Sequence, residues 1–319
     1  DIIPDPDTRW MTTPSFDFVE GWYKDGYTSS PNPLSPFPTK EGGKVRLAKG
    51  QGIRREFQHK RSIFYVKGAS PRSPIGGESQ TNGSLHGEYF ILHDLVLGEG
   101  ERLLEQIFHL APVLDIANGR FHPGRVEIRE DKVVRTVEPN VSNIAIVPVN
   151  PAPLDVRLQC GETDPVVGWT ALAGKTPSYD LTYTAKRSLP TVMNTVLFPL
   201  RSGATVPVVK LIEVVTDPDV LGTGFTVAHG RFIDLVLISD DGFATMFTSP
   251  PARGGGREEG ENLSIPVIEF TGEYLFLRLD AQGTPHWAAM IQGQFLKVNG
   301  RVWVALPEPR EVYAISWGH

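Results

Sequence analysis

Between Arg54 and Pro112 the chain alternates apolar and polar positions in the manner of extended backbone. RREFQHKRSIFYVK precedes a polar loop, and EYFILHDLVLGEGERLLEQIFHLAP follows it. Both runs are rich in β-branched and aromatic residues. A charged turn follows the second, and a third run closes on Phe108, His109, Leu110, Ala111 and Pro112. The pattern predicts a three-stranded antiparallel meander. Residues 100–110 could form one helical turn, since Leu103, Leu104, Ile107, Phe108 and Leu110 do not settle the period. Strands on the flanks favour a strand there too.

The same reading extends along the chain. Strand-sized runs cover Val133 to Val137, Asn143 to Val149, Thr191 to Leu200, Val208 to Val215, Phe232 to Ser239, Tyr274 to Leu279, Phe295 to Val298 and Val302 to Leu306. Asn118-Gly119, Asp241-Gly242, Gln282-Gly283 and Asn299-Gly300 suit tight hairpins between them. The predicted class is all-β, an antiparallel β-supersandwich of two large packed sheets with a smaller C-terminal β-meander. Residues 1–250 are assigned to the sandwich. Residues 251–319 supply strands that complete it or form a small subdomain. A proline-rich arm at 28–39, a loop at 68–88 and a glycine-rich loop at 250–262 interrupt the strands.

Composition narrows the function. The 319 residues carry a net charge of −6, which argues against general nucleic-acid binding. Cys160 is the only cysteine, so no intramolecular disulfide or multi-cysteine metal site is possible. No apolar run is long enough to span a bilayer as a helix. His122, His229, His286 and His319 are scattered without His-x-His or Glu-x-x-His spacing, and neither a metal nor a cofactor is expected. There is no Gly-x-Ser-x-Gly elbow, and Gly254-Gly255-Gly256 lacks the lysine of a phosphate-binding loop.

The wording of the 54–112 stretch resembles the β-sandwich part of the heparinase II/III-like polysaccharide lyases. That family shows a His-Arg-Arg strand, a partner strand ending in an acidic residue, a Gly-Glu-Gly turn and a Phe-His-x-Ala-Pro close. Here the triplet is His59-Lys60-Arg61, with Lys in the middle. Phe16 to Gly21 and Asp25-Gly26-Tyr27 match the lead-in. Gly168-Trp169 and Thr195 to Pro199 match later segments. The resemblance touches residues from about 16 to 200. It implies a chain acting on acidic, uronate-containing polysaccharide (a glycosaminoglycan or alginate), in the periplasm or outside the cell. It also implies an N-terminal α/α-toroid, on the same or a separate chain, that supplies the catalytic Tyr and His. The family's Gly-His-x-His-x-Asp and Ala-His-Asn-Thr stretches do not occur here, so the isolated chain is expected to be inactive.

β-Elimination defines the chemistry to seek. A base removes the C5 proton, a cation or donor stabilises the enolate-like carboxylate, and an acid protonates the leaving oxygen. Catalytic residues stay unassigned in this chain. From Lys40 to Arg72 ten basic residues face two glutamates, a local excess of eight on an acidic chain. Arg54, His59 and Arg61 are the candidates for substrate contact, with Tyr27 and His109. Phe57 and Tyr65 share the strand face of His59 and Arg61. That face reads either as an anion contact or as a solvated surface whose charges block edge pairing. His109 reads as a structural histidine or a ligand contact, and Asp94 as a partner of the His-Lys-Arg strand. Trp22, Tyr23 and Tyr27 read as lid packing or a sugar platform. A non-catalytic glycan-binding or structural β-module, or an unrelated small-ligand or metal-binding sandwich enzyme, are the alternative classes.

Overall fold

The computed structural model describes residues 8–13, 15–23, 57–67, 87–139, 141–171, 175–201, 204–217, 220–240, 242–248 and 266–316. Arg54, Tyr27, the proline-rich arm and the glycine-rich loop lie outside them, as does nearly all of the 68–88 loop.

The described residues form strands and no helix. The first sheet holds β1 (Arg9–Thr12), β2 (Phe16–Tyr23), β3 (Gln58–Val66), β4 (Tyr89–Leu97), β8 (Val126–Ile128), β9 (Val134–Thr136), β10 (Asn143–Pro148) and β17 (Thr191–Leu200). Their spatial order is β1-β2-β3-β4-β17-β10-β9-β8. A small sheet of β5 (Glu101–His109), β11 (Asp155–Cys160) and β16 (Tyr179–Ser188) covers part of one face. Three two-stranded ribbons decorate this region: β6 (Val113–Asp115) with β7 (Arg120–His122), β12 (Glu162–Thr163) with β13 (Val166–Val167), and β14 (Trp169–Thr170) with β15 (Thr176–Pro177).

A nine-stranded sheet covers the other face. It comprises β18 (Val208–Leu211), β19 (Val214–Val215), β20 (Gly222–His229), β21 (Phe232–Ser239), β22 (Ala244–Thr248), β23 (Ile268–Gly272), β24 (Tyr274–Asp280), β25 (Pro285–Val298) and β26 (Arg301–Ser316). The order begins at β18 and ends at β19, with β26 on β25. Those two end strands are adjacent in the chain, so the sheet must curl until its edges meet. The C-terminal strands therefore belong to this second large sheet, where β24, β25 and β26 form a meander.

Three apolar layers hold the assembly. Phe18, Phe64, Tyr89, Ile91, Val196, Phe225, Val236 and Tyr274 fill the space between the two large sheets. Leu235, Leu237, Met246, Phe270, Leu277 and Met290 fill the inside of the curl. Leu110, Val134, Ile146, Leu181, Tyr183 and Met193 seal the small sheet against the first. β21 shows why its sequence reads as an unbroken apolar run. Val236 and Ile238 face the inter-sheet layer, while Leu235 and Leu237 face the curl, so both sides of the strand are buried.

Several expectations are corrected. β3 and β4 pair antiparallel from Gln58↔Leu97 to Val66↔Tyr89. β5 does not continue that meander, because β4 pairs instead with β17, and β5 pairs with β16 in the small sheet. Gly98 and Gly100 both take positive φ, and this lets the Gly-Glu-Gly turn lift the chain from one layer to the next. Val208 to Val215 is not one strand, since Ile212 and Glu213 interrupt it where the curled sheet closes. Asp241 lies outside the described residues, and the strands on either side, β21 and β22, are not partners, because β21 pairs with β20 and β24.

Candidate functional site

β3 is paired on both edges, with β2 and β4, so its charges do not serve to block an edge. Arg61 lies directly opposite Asp94 in the register, and His59 lies one pair further along, on the same face. Asp94 gathers both. Its Oδ1 accepts from His59 Nε2 at 2.7 Å and from Arg61 Nε at 2.6 Å. Its Oδ2 accepts from Arg61 Nη2 at 2.9 Å and from Gln106 Nε2 at 2.8 Å. Burial pushes the Asp94 carboxyl up. Hydrogen bonds from His59 and Arg61, with the Arg61 charge, outweigh it and hold the group well below the usual carboxylate range. Asp94 is buried, whereas the Arg61 side chain remains 44% exposed. The bidentate pair thus fixes a surface guanidinium from beneath.

Period-two alternation carries this face across the neighbouring strands. Trp10 pairs with Val19, Tyr23 with His59, Gly21 with Arg61, and Tyr65 with Phe90. Trp10 is 72% exposed, Tyr23 46% and Phe90 38%. Tyr65 and Phe90 stack with centroids 4.6 Å apart. A side chain added at Gly21 would meet nothing within 4 Å, so there is open space beside Arg61. Sequence reading singled out Tyr23 and Tyr65 but not Trp10, Gly21 or Phe90. Counting the alternation along β2 from Phe16 would have found Gly21, whereas Trp10 and Phe90 join this face only through strand pairing. Trp22 and Tyr23, read as one cluster, are separated onto opposite faces of β2.

The opposite face of the same strands is interior. Lys60, counted in the basic stretch, is buried there over the Trp22 ring at 5.3 Å, with its Nζ 3.8 Å from Glu20. Glu20 also accepts from Arg9, from Ser62 Oγ at 2.7 Å and from the Tyr274 hydroxyl at 2.5 Å. Burial raises the Glu20 carboxyl, but Lys60, Tyr274, Arg9 and Ser62 together bring it below its ordinary value. In the nine-stranded sheet Asp234 accepts from Arg278 through Nε and Nη2, both at 2.7 Å, from Tyr89 and from His229. Despite full burial its carboxyl is held at about 2, chiefly by Arg278. These clusters join layers.

His109 sits at the end of β5, with its side chain 75% exposed and its Nδ1 2.6 Å from Asp180 Oδ1. Asp180 Oδ2 accepts from the Gly168 amide at 2.9 Å. The Phe-His-x-Ala-Pro and Gly-Trp segments, far apart in sequence, therefore meet through one carboxylate. The structure does not bring His109 into the Arg61 cluster. His93, fully buried, lies 2.6 Å from Asn194 Oδ1 through Nδ1. Its Nε2 stands 2.7 Å from Asp240 Oδ1, off the line of a hydrogen bond. Among the described residues no three His, Cys, Asp or Glu side chains are grouped to hold a metal ion. No helix of the described residues is long and apolar enough to cross a membrane.

The fold and this face define an all-β layered sandwich with a fixed cation on an aromatic strand surface. No family model matches the chain, and no curated protein matches it. Among solved structures it is similar to a mutant of the heparan sulfate lyase HepC from Pedobacter heparinus, with a TM-score of 0.40 and 12% identity. The match covers 73% of this chain and 27% of that one, so the chain spans about a quarter of its neighbour's length.

Proposed function

We propose that this chain is the β-sandwich part of a polysaccharide lyase that binds acidic, uronate-containing glycan outside the cytoplasm. The outer face of β1 to β4 is its contact surface. One juxtaposition carries this reading: Arg61, clamped by Asp94 beside the open space over Gly21, stands among Trp10, Tyr23 and the Tyr65–Phe90 stack. Flat aromatic rings accept the apolar faces of sugars, and a pre-oriented guanidinium pairs with a carboxylate at little entropic cost. The sequence resemblance adds the reaction class, and proton transfer is assigned to an α/α-toroid partner. A non-catalytic glycan-binding module is the second reading. It is favoured by the histidines, since His59, His93, His109 and His229 each have a ring nitrogen at an acid or amide partner.

Titration calorimetry with an oligouronate and a neutral oligoglucose of equal length tests the surface. Arg61→Ala should weaken oligouronate binding about tenfold, which corresponds to ~1.4 kcal/mol, and leave the neutral sugar unaffected. Trp10→Ala should weaken both. Unchanged affinities in both variants would remove this face from the function. Release of unsaturated sugars by the 319-residue chain unaided would refute the need for a toroid.

A further inference from the structure

A second concavity lies away from that face, where all three sheets meet. It has a volume of about 150 Å³ and is lined by Gln106, Asn150, Arg187, Asn194, Thr195 and Thr223 with apolar neighbours. That is roughly ten times the space a single water requires, the scale of one sugar acid. Among the described residues Arg187 is the only charged one in its lining, and the Asp94 and Asp240 carboxylates accept from its Gln106 and Thr223.

The position of Arg187 is unusual for the strand that carries it. Leu181, Tyr183 and Ala185 on β16 point into the apolar layer, and Arg187 continues the same alternation toward the first sheet. Its Nε is sealed from solvent and has no hydrogen-bond partner among the described residues. A buried donor left unmade is costly, and an acceptor that reaches it would recover the loss. Asn194 reaches the cleft from the opposite face of β17, with its Oδ1 2.6 Å from His93 Nδ1. The floor is rigid, because Thr195 Oγ1 donates to Gln106 Oε1 at 2.6 Å and Gln106 in turn donates to Asp94.

We infer that this cleft is a binding site for the oxyanion of a small ligand, with Arg187 pairing the anion. The size and the polar lining suit a monosaccharide carboxylate; a free inorganic oxyanion shares the same chemistry. This inference rests on the lining and not on the outer face.

Calorimetry on the full chain with sodium glucuronate, glucose and sodium sulfate tests it. Glucuronate should bind saturably and glucose should not. Sulfate equal to glucuronate would assign the site to oxyanions in general, whereas sulfate at least tenfold weaker would assign it to the sugar acid. Arg187→Gln should weaken the anion at least tenfold. Asn150→Asp, at an exposed position on the rim, should do the same by repulsion with the unfolding midpoint unchanged, and it decides the matter if Arg187→Gln does not fold. Absence of saturable binding by either anion, or wild-type affinity in Asn150→Asp, would overturn the inference.

Discussion

Gln106 on β5 and Asp94 on β4 are twelve residues apart yet belong to different sheets, and the Gln106 Nε2 donates to Asp94 Oδ2 at 2.8 Å across the layer between them. The bond ties the small sheet to the strand pair that holds Arg61. It also links the carboxylate that holds Arg61 to the lining of the Arg187 cleft.

Gln106→Met removes this amide while keeping its length. Thr195 loses its acceptor and Asp94 one donor, both in the interior. Unfolding free energy in urea should fall by about 2 kcal/mol, with the slope unchanged. An unaltered midpoint would show that the layer does not depend on the bond.

Asp94→Asn keeps the shape but loses the charge that orients Arg61. The exposed guanidinium can rehydrate, so stability should drop by only about 1–2 kcal/mol. Oligouronate affinity should fall severalfold because Arg61 is no longer held. Affinity equal to wild type would mean that the clamp is structural only.

Asp234→Asn leaves the Arg278 charge buried against Phe232, Phe276 and Trp287 with no counter-charge. Removing one member of a buried pair costs about 3–5 kcal/mol. The thermal midpoint should fall far more than for Asp94→Asn, and differential scanning calorimetry ranks the two.

Acid stability follows from the same carboxylates. Glu20, Asp94 and Asp234 all have folded values below their ordinary ones. Groups of this kind contribute stability above the unfolded value, and that contribution disappears as pH falls through the folded value. For Asp234 the window runs from 3.8 down to about 2, and the loss is on the order of 2 kcal/mol. Denaturant midpoints should therefore be level above pH 5 and decline steeply below pH ~4. A decline that begins near neutrality would show that these carboxylates do not set the acid stability.

Gly168→Ala should be severe. Its φ is +75°, and an added Cβ would lie 2.6 Å from the Cys160 Cα and 2.7 Å from the Gly161 nitrogen. Backbone cannot yield as a side chain can, and the Gly168 amide holds Asp180. Soluble yield and the His109 resonance report the damage; a folded variant with an unshifted His109 would contradict this account.

Much of the fold was legible because extended backbone has a period of two. β17 and β21 occupy the residues read from their apolar runs, and His59 and Arg61 do share a face with Asp94 as their partner. The same alternation determined that Lys60 had to turn away from them. What no local pattern could show is which strands become neighbours. β5 follows β4 after three residues, yet β17 takes the place beside β4, because pairing depends on burying apolar faces contributed by distant segments. The Arg187 cleft was illegible for that reason: Gln106, Asn150, Asn194 and Thr223 come from separate strands and connections. Sequence determined the extended conformation and the facing of each side chain, through sterics and alternation within a strand. Tertiary structure decided the company each face keeps, through contacts whose energy exists only once the sheets have assembled.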